Sequence, residues 1–270
     1  VNGFDWSAFA ANLGWAAGAA LTVMLGAFAL ALRLGVHRIV DVAWGGAVAA
    51  VAAVTFAVSA GHGDPARRLP VTVLTVVWAL RLAVHIARRG RGHGEDPRYE
   101  ALLGKSRATT PGGRNLYALR MVYLLQGALV WLVSLPVQAA RYVSGPPSFL
   151  AWIGVALRAV GIGFEAVGDA QLARFKADPA NRGRIMDRGL WSWTRHPNCF
   201  GDFCAWWGLF LLACDAPEAA AVSFVSPLVM SLLLVRGSGK RLLERHMTGR
   251  PGYAEYVART SGFFPRPPRR

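Results

Sequence analysis

Arg195, His196, Asn198 and Asp202 fall within eight residues, between a basic segment and a hydrophobic run. Such a polar cluster at the mouth of an apolar helix is costly unless it binds something, which makes it the first place to look for chemistry. Just upstream, Glu165, Asp169 and Arg174 run down the end of another apolar stretch. Glu165 and Asp169 are four apart and share a helix face that lipid would not tolerate. They must face a bundle interior or an aqueous mouth, where an acid can accept hydrogen bonds from a ribose or pair with Arg195 or Arg120. Asp41 lies early in a third apolar run, Ile39-Val40-Asp41-Val42-Ala43-Trp44-Gly45. Burial disfavours an ionised carboxyl, so Asp41 is expected to be protonated more readily than usual and able to donate to a developing oxyanion; the alternative is an ion pair with a cation such as Arg81. Trp78 and Arg81, three apart, share a face, and Arg81 must find an anion, either Asp41 or a ligand phosphate. Arg120 and Arg158 read as snorkelling side chains.

Other chemistries lack their residues. No HxxxH or HExxH spacing exists among the six histidines, and Cys199, Cys204 and Cys214 form no CxxC, so no metal site or disulfide framework is expected. There is no Gly-x-Ser-x-Gly elbow, and no GxGxxG in a βαβ setting.

The elements that must position these residues are membrane helices. The chain is 54% hydrophobic yet carries a formal charge of +15, and its charges are segregated from apolar runs of about 20 residues, the length that crosses a bilayer. Seven spans are predicted, at about 13–34, 39–60, 69–87, 117–138, 149–172, 200–214 and 219–235, giving an all-α polytopic membrane protein. With the N-terminus outside and the C-terminus cytoplasmic, only Arg67, Arg68 and Arg141 lie outside, against twenty-four basic residues within. The basic character is therefore topology, and no nucleic-acid partner is expected. The N-terminus lacks the basic region of a cleaved signal peptide, so the first span is expected to stay as an anchor. With no long linker or repeat, residues 1–270 read as a single domain of the inner membrane. Its polar mass lies in the loops 88–116 and 173–198 and the tail 236–270. A short helix is predicted near Tyr99 to Leu103, a turn at Thr109 to Gly113, and an extended or disordered Pro/Arg-rich end from Pro265 to Arg270.

The motifs Asp41-Val-Ala-Trp44-Gly45, Trp78-Ala-Leu-Arg81-Leu82, Glu95-Asp96-Pro97-Arg98-Tyr99, Gly168-Asp169-x-Gln171, Asn181-x-Gly183, Gly189-Leu190-Trp191, Arg195-His196-Pro197-Asn198 and Tyr253-x-Glu255-Tyr256 resemble those of the DUF1295 group of bacterial membrane proteins. That group is related to the C-terminal domain of steroid 5-alpha-reductases, and the resemblance covers about residues 35–268. The wider superfamily holds NADPH-dependent reductases of carbon–carbon double bonds and S-adenosylmethionine-dependent methyltransferases of the isoprenylcysteine and phospholipid type. The His196-Pro-Asn198 run with Asp202 is similar to the sterol reductases, while Cys199 departs from the aromatic residue usual in DUF1295. The resemblance implies an NADPH site lined by Asp169, Arg174, Asn181, Arg184, Arg195, His196, Asn198, Asp202 and Tyr256, to which Arg81 and Arg98 add cations able to meet phosphate. It also implies a reaction centre at Asp41 and Trp78. An indole donates a hydrogen bond but not a proton, so Asp41 would be the acid. The expected substrate is a steroid-like or other hydrophobic lipid entering from the bilayer. The alternatives are a methyltransferase and a non-catalytic lipid-binding membrane protein.

Overall fold

The computed structural model describes residues 3–108, 110–236, 244–245 and 247–269. Thr109 of the expected turn, and residues 237–243, His246 and Arg270 of the tail, lie outside them. In chain order the helices are α1 (Trp6–Leu34), α2 (Ile39–Val58), α3 (Pro65–Gly90), α4 (Pro97–Leu103), α5 (Pro111–Val133), α6 (Leu135–Ala139), α7 (Phe149–Ala177), α8 (Leu190–Trp193), α9 (Pro197–Ala213), α10 (Pro217–Ser223), α11 (Val225–Val235) and α12 (Tyr253–Arg259). The described residues hold no strand, only two isolated bridges. Six stretches among them are long and apolar enough to cross a membrane: α1, α2, α3, α5, α7 and Pro217–Val235. The stretch expected to be the sixth of seven spans is α9, a helix of 17 residues. Large apolar side chains such as Trp15, Leu25, Leu80, Trp152 and Val160 stay exposed, a surface suited to lipid rather than water. The chain is an all-α polytopic membrane protein.

Helix starts follow local chemistry. Asp64-Pro65, Asp96-Pro97 and Thr110-Pro111 each place a capping oxygen before a proline that needs no backbone donor. Thr110 to Gly113 of the predicted turn are therefore the cap and first turn of α5, with Thr110 Oγ1 accepting from Gly113 N at 3.2 Å. Capping likewise starts α1 and α3 ahead of the predicted spans, at Asp5 and Asp64. The predicted short helix appears as α4.

The chain divides into two compact units, residues 1–148 with 213–223, and residues 149–212 with 224–270. No long connecting segment marks the boundary at 148, which is why the sequence reads as one domain. In the first unit α1 presents Ala16, Ala20, Met24, Ala27 and Ala31 as a buried stripe of mostly small residues. α2 crosses α3 at Gly45, where a Cβ would stand 2.5 Å from the carbonyl oxygen of Ala79. Asp41, one turn before Gly45, is thereby held on the side of α2 that meets the end of α3.

In the second unit α7 buries Ala151, Gly154, Arg158, Gly161, Glu165 and Gly168, an alternating three-and-four spacing that makes one seam. Gly201 and Gly208 of α9 face it. A Cβ on Gly161 would come within 2.6 Å of Ala205 N, and one on Gly208 within 2.6 Å of Arg158 N. The small residues let two backbones touch, as membrane helices do when apolar burial alone cannot drive association.

Candidate functional site

The first unit gathers its polar residues at the start of α2. Arg38 caps this helix without a side-chain bond. Glu95 supplies the missing acceptor, taking the backbone N–H groups of His37 and Arg38, the latter at 2.9 Å. A carboxylate at a helix N-terminus is favoured by the unpaired donors and the dipole there. Pinning Glu95 brings α4 across Asp41. Arg98 Nη2 donates to Asp41 Oδ2 at 2.7 Å, and Tyr99 Oη donates to Asp41 Oδ1 at 2.5 Å. Asp96, the α4 cap, holds Arg98 from the other side at 2.9 and 3.0 Å. The Arg98 hydrogen bond keeps the Asp96 carboxyl below its ordinary range, and Asp96 in turn raises the Arg98 guanidinium. Burial, then the Asp41 charge, pushes the Tyr99 phenol well up, so it keeps its proton at neutral pH.

α5, which contains a π-helical turn at Leu119–Leu124, adds two more side chains. Tyr123 Oη lies 3.1 Å from His37 Nδ1, and Gln126 Nε2 donates to Tyr99 Oη at 3.4 Å. Burial lowers the His37 pKa, keeping the imidazole neutral. Beside the cluster lies a cavity of about 480 Å³, lined by Arg38, Ile39, Asp41 and Val42 of the α2 end, Ile86, Ala87, Arg89 and Gly90 of α3, and the His93–Pro97 loop. That volume suits a small organic ligand or the polar end of a larger one.

The second unit ties its motifs to one another. Trp191 Nε1 donates to Gly168 O at 3.0 Å, and Gln171 Oε1 accepts from Leu190 N at 3.0 Å. Gly189 has φ +60, and a Cβ there would run into the Gln171 amide, so this position demands glycine. Arg195 donates through Nε and Nη2 to Glu244 Oε1 at 3.0 and 2.8 Å, and through Nη1 to the carbonyls of Thr260 and Val257. His196 Nε2 lies 3.2 Å from the same Glu244 oxygen. Tyr256 Oη donates to Trp191 O at 2.6 Å, and burial raises its pKa. The described C-terminal stretch, residues 265–269, forms no helix or strand and is anchored, with Arg266 N donating to Trp193 O at 3.0 Å.

These placements refine the sequence reading residue by residue. Asp41 is 21% exposed and paired with an arginine, Arg98. Trp78 is fully buried and is not among the described residues lining the cavity; Arg81 is half-buried on the same helix. Arg158 does not snorkel. It is wholly buried in the α7 seam, where Asp202 and Glu165 act on its charge. Asp169 and His196 are buried, whereas Arg174 and Arg184 are exposed. Asn181 Nδ2 donates to Phe175 O at 3.0 Å, and Asn198 Oδ1 accepts from Cys199 N at 3.0 Å. The sequence reading gives Tyr99 and Glu95 a place in a motif but no site role, and gives none to Tyr123, Gln126 and Glu244. Tyr99 and Glu95 stood beside Asp96-Pro97, whose helix-start signal was there to be used.

The motifs that the resemblance rests on are thus the residues that cap, cross and clamp these elements. The sequence profile of a family described as a protein of unknown function, DUF1295, matches residues 27–260. The chain belongs to the DUF1295 family. It is also similar to an uncharacterized protein of Schizosaccharomyces pombe (strain 972 / ATCC 24843), 26% identical over 76% of this chain. The similarity spans 66% of that relative's length. No solved structure matches. In this DUF1295 chain Asp41 and Gly45 of one motif, Ala79 of the second and Arg98 and Tyr99 of the third meet in one place, within the first unit.

Proposed function

We propose that this DUF1295 chain is a multi-pass enzyme of the cytoplasmic membrane that uses NADPH to reduce a carbon–carbon double bond in a steroid-like or other hydrophobic lipid. In this reading its N-terminus is outside and the Asp41 end of α2 faces the cytoplasm. The observation that carries the reading is the Tyr99–Asp41–Arg98 cluster at the wall of the 480 Å³ cavity. Such a reduction adds hydride to one alkene carbon and a proton to the other. NADPH, when bound, supplies the hydride.

The chain's own residues handle the proton. Both Asp41 oxygens accept hydrogen bonds, so the carboxylate orients the Tyr99 phenol and the Arg98 guanidinium. The phenol carries the transferable proton, and Arg98 offsets the negative charge left on the pair. The cavity touches Asp41 and not Tyr99, so a proton bound for the cavity leaves through the carboxylate. That keeps Asp41 as the acid toward substrate, with Tyr99 behind it. For the cofactor, Arg174 and Arg184 are exposed, and Arg182 and Arg188 are exposed in the same stretch. This donor set fits a pyrophosphate and a further phosphate. Arg195 and Tyr256 already hold the C-terminal segment and serve the cofactor only by positioning.

The test is ligand-dependent stability of the detergent-purified protein. NADPH should raise Tm and S-adenosylmethionine should not; the reverse result makes the chain a methyltransferase, and no shift with either favours a lipid-binding protein without turnover. Asp41→Asn should keep the NADPH shift yet slow NADPH oxidation with membrane lipid extract by on the order of a hundredfold. Unchanged turnover in that variant refutes the role of Asp41.

A further inference from the structure

At the end of α2 and α3 opposite to Asp41, the first unit holds a second cationic cluster. Arg141, in the 3-10 turn Ala140–Tyr142, is wholly buried. Its Nε donates to Val137 O at 2.9 Å, but its buried Nη1 and Nη2 meet no hydrogen-bond acceptor. Arg68 points the same way: Nη2 donates to Phe56 O at 2.9 Å, while buried Nε has no acceptor. The two guanidiniums lie over one ring, that of Phe56, at 5.0 Å from Arg68 and 5.7 Å from Arg141. The buried Tyr142 Oη has no partner either.

The neighbouring acids are spent elsewhere. Asp5 is taken by His62 at 3.0 Å and caps α1, and Asp215 is taken by Arg67 at 2.6 Å and by Ser148. The charges acting on Arg141 are Arg68 and the Tyr142 phenol, with no carboxylate among them. Burial, and then Arg68, pushes the Arg141 guanidinium down to about 9, which leaves it a cation at neutral pH. A desolvated guanidinium beside another cation, with its fork of donors unfilled, is strongly unfavourable unless an anion completes it.

We infer that Arg141, Arg68 and Tyr142 form a binding site for a phosphate group, carried by a lipid headgroup or present as free phosphate. The Arg141 fork takes two oxygens, and Arg68 Nε and Tyr142 Oη supply further donors. Phe56, 37% exposed, and the half-buried Arg68 mark the side from which the anion enters. The site shares no residue with the Asp41 cluster and stands whether or not the chain is a reductase.

The experiment compares Tm of the detergent-purified full chain at matched ionic strength in chloride, in inorganic phosphate, and with short-chain phosphatidylglycerol. A phosphate source at a hundredfold excess over Kd should raise Tm by about 5 °C. A shift with inorganic phosphate identifies a free anion as sufficient; a shift with phosphatidylglycerol alone identifies the headgroup. Arg68→Gln, at the half-exposed position, should fold and lose most of that shift, and Arg141→Met should lose all of it. No shift with either source, or an undiminished shift in Arg68→Gln, overturns the inference even if Arg141→Met does not fold.

Discussion

In the first unit, Asp41 meets Arg98 and Tyr99 across a loop, from a seven-residue helix folded back over the start of α2, and its carboxylate still opens onto a cavity. In the second, Arg158, Glu165 and Asp202 belong to long helices crossing where backbones touch, and Arg195 is fastened to Glu244 and two carbonyls. The first arrangement leaves the Asp41 carboxylate partly solvent-accessible and adjustable, because a short helix and a loop can shift without breaking a core. The second spends its charges on holding position. The two clusters therefore differ in what mutation should cost: chemistry in the first unit, stability in the second.

The sharpest break is at the α7 seam. Gly161→Leu must displace Ala205 backbone and should cost about 3 kcal/mol or more, enough to remove most folded protein from a thermal-stability assay. Gly163, two residues away, has nothing within 4 Å of an added Cβ, and Gly163→Leu should leave Tm nearly unchanged. Equal effects at both positions would mean the seam is not where α7 packs.

Arg195→Leu comes next. It removes both Arg195 bonds to Glu244, leaves the Thr260 and Val257 carbonyls without their Arg195 donor, and should cost about 3 kcal/mol because three or more charge-assisted bonds go together. The readout is Tm together with proteolysis, since the segment after Thr260 loses its anchor. Arg98→Leu, at a side chain 43% exposed, should lower Tm far less while reducing turnover. If the two variants lose the same stability, the contrast between a clamping arginine and an arginine of the proposed active site fails.

Much of this was legible beforehand. The apolar runs gave the helices, and of the two places left open for Glu165 and Asp169, a bundle interior or an aqueous mouth, both side chains are buried, away from the lipid that cannot accept them. The seam was also written in plain spacing: Gly154, Arg158, Gly161, Glu165 and Gly168 follow a heptad seam, but charges at two of its positions hide it from a search for apolar repeats. Three partners were beyond sequence. Asp41 and Arg98 are 57 residues apart, and several arginines could have served equally; the loop geometry chose one. Arg195 and Glu244 are separated by 49 residues, with an apolar run between them. The π-helical turn that brings Tyr123 to His37 has no local signal in Leu119–Leu124, because it is set by packing rather than propensity.

The smallest expected effect is at Tyr256, and it carries a pH signature. Its phenol donates to Trp191 O, and Tyr256→Phe should cost about 1 kcal/mol, the net worth of one such bond. Burial holds its pKa above the ordinary value of 10 in the folded chain. A raised folded pKa means the protonated phenol stabilises the fold fully below pH 10, with that contribution fading as pH climbs toward the folded value. The Tm difference between wild type and Tyr256→Phe should therefore be constant from pH 7 to 9 and shrink above pH 10. Tyr99 is raised in the same sense, so wild type and variant should both keep an alkaline decline, shallower in the variant. A gap that stays constant through pH 11 would show that Tyr256 does not titrate with unfolding, and no gap at any pH would show that the clamp rests on Arg195 alone.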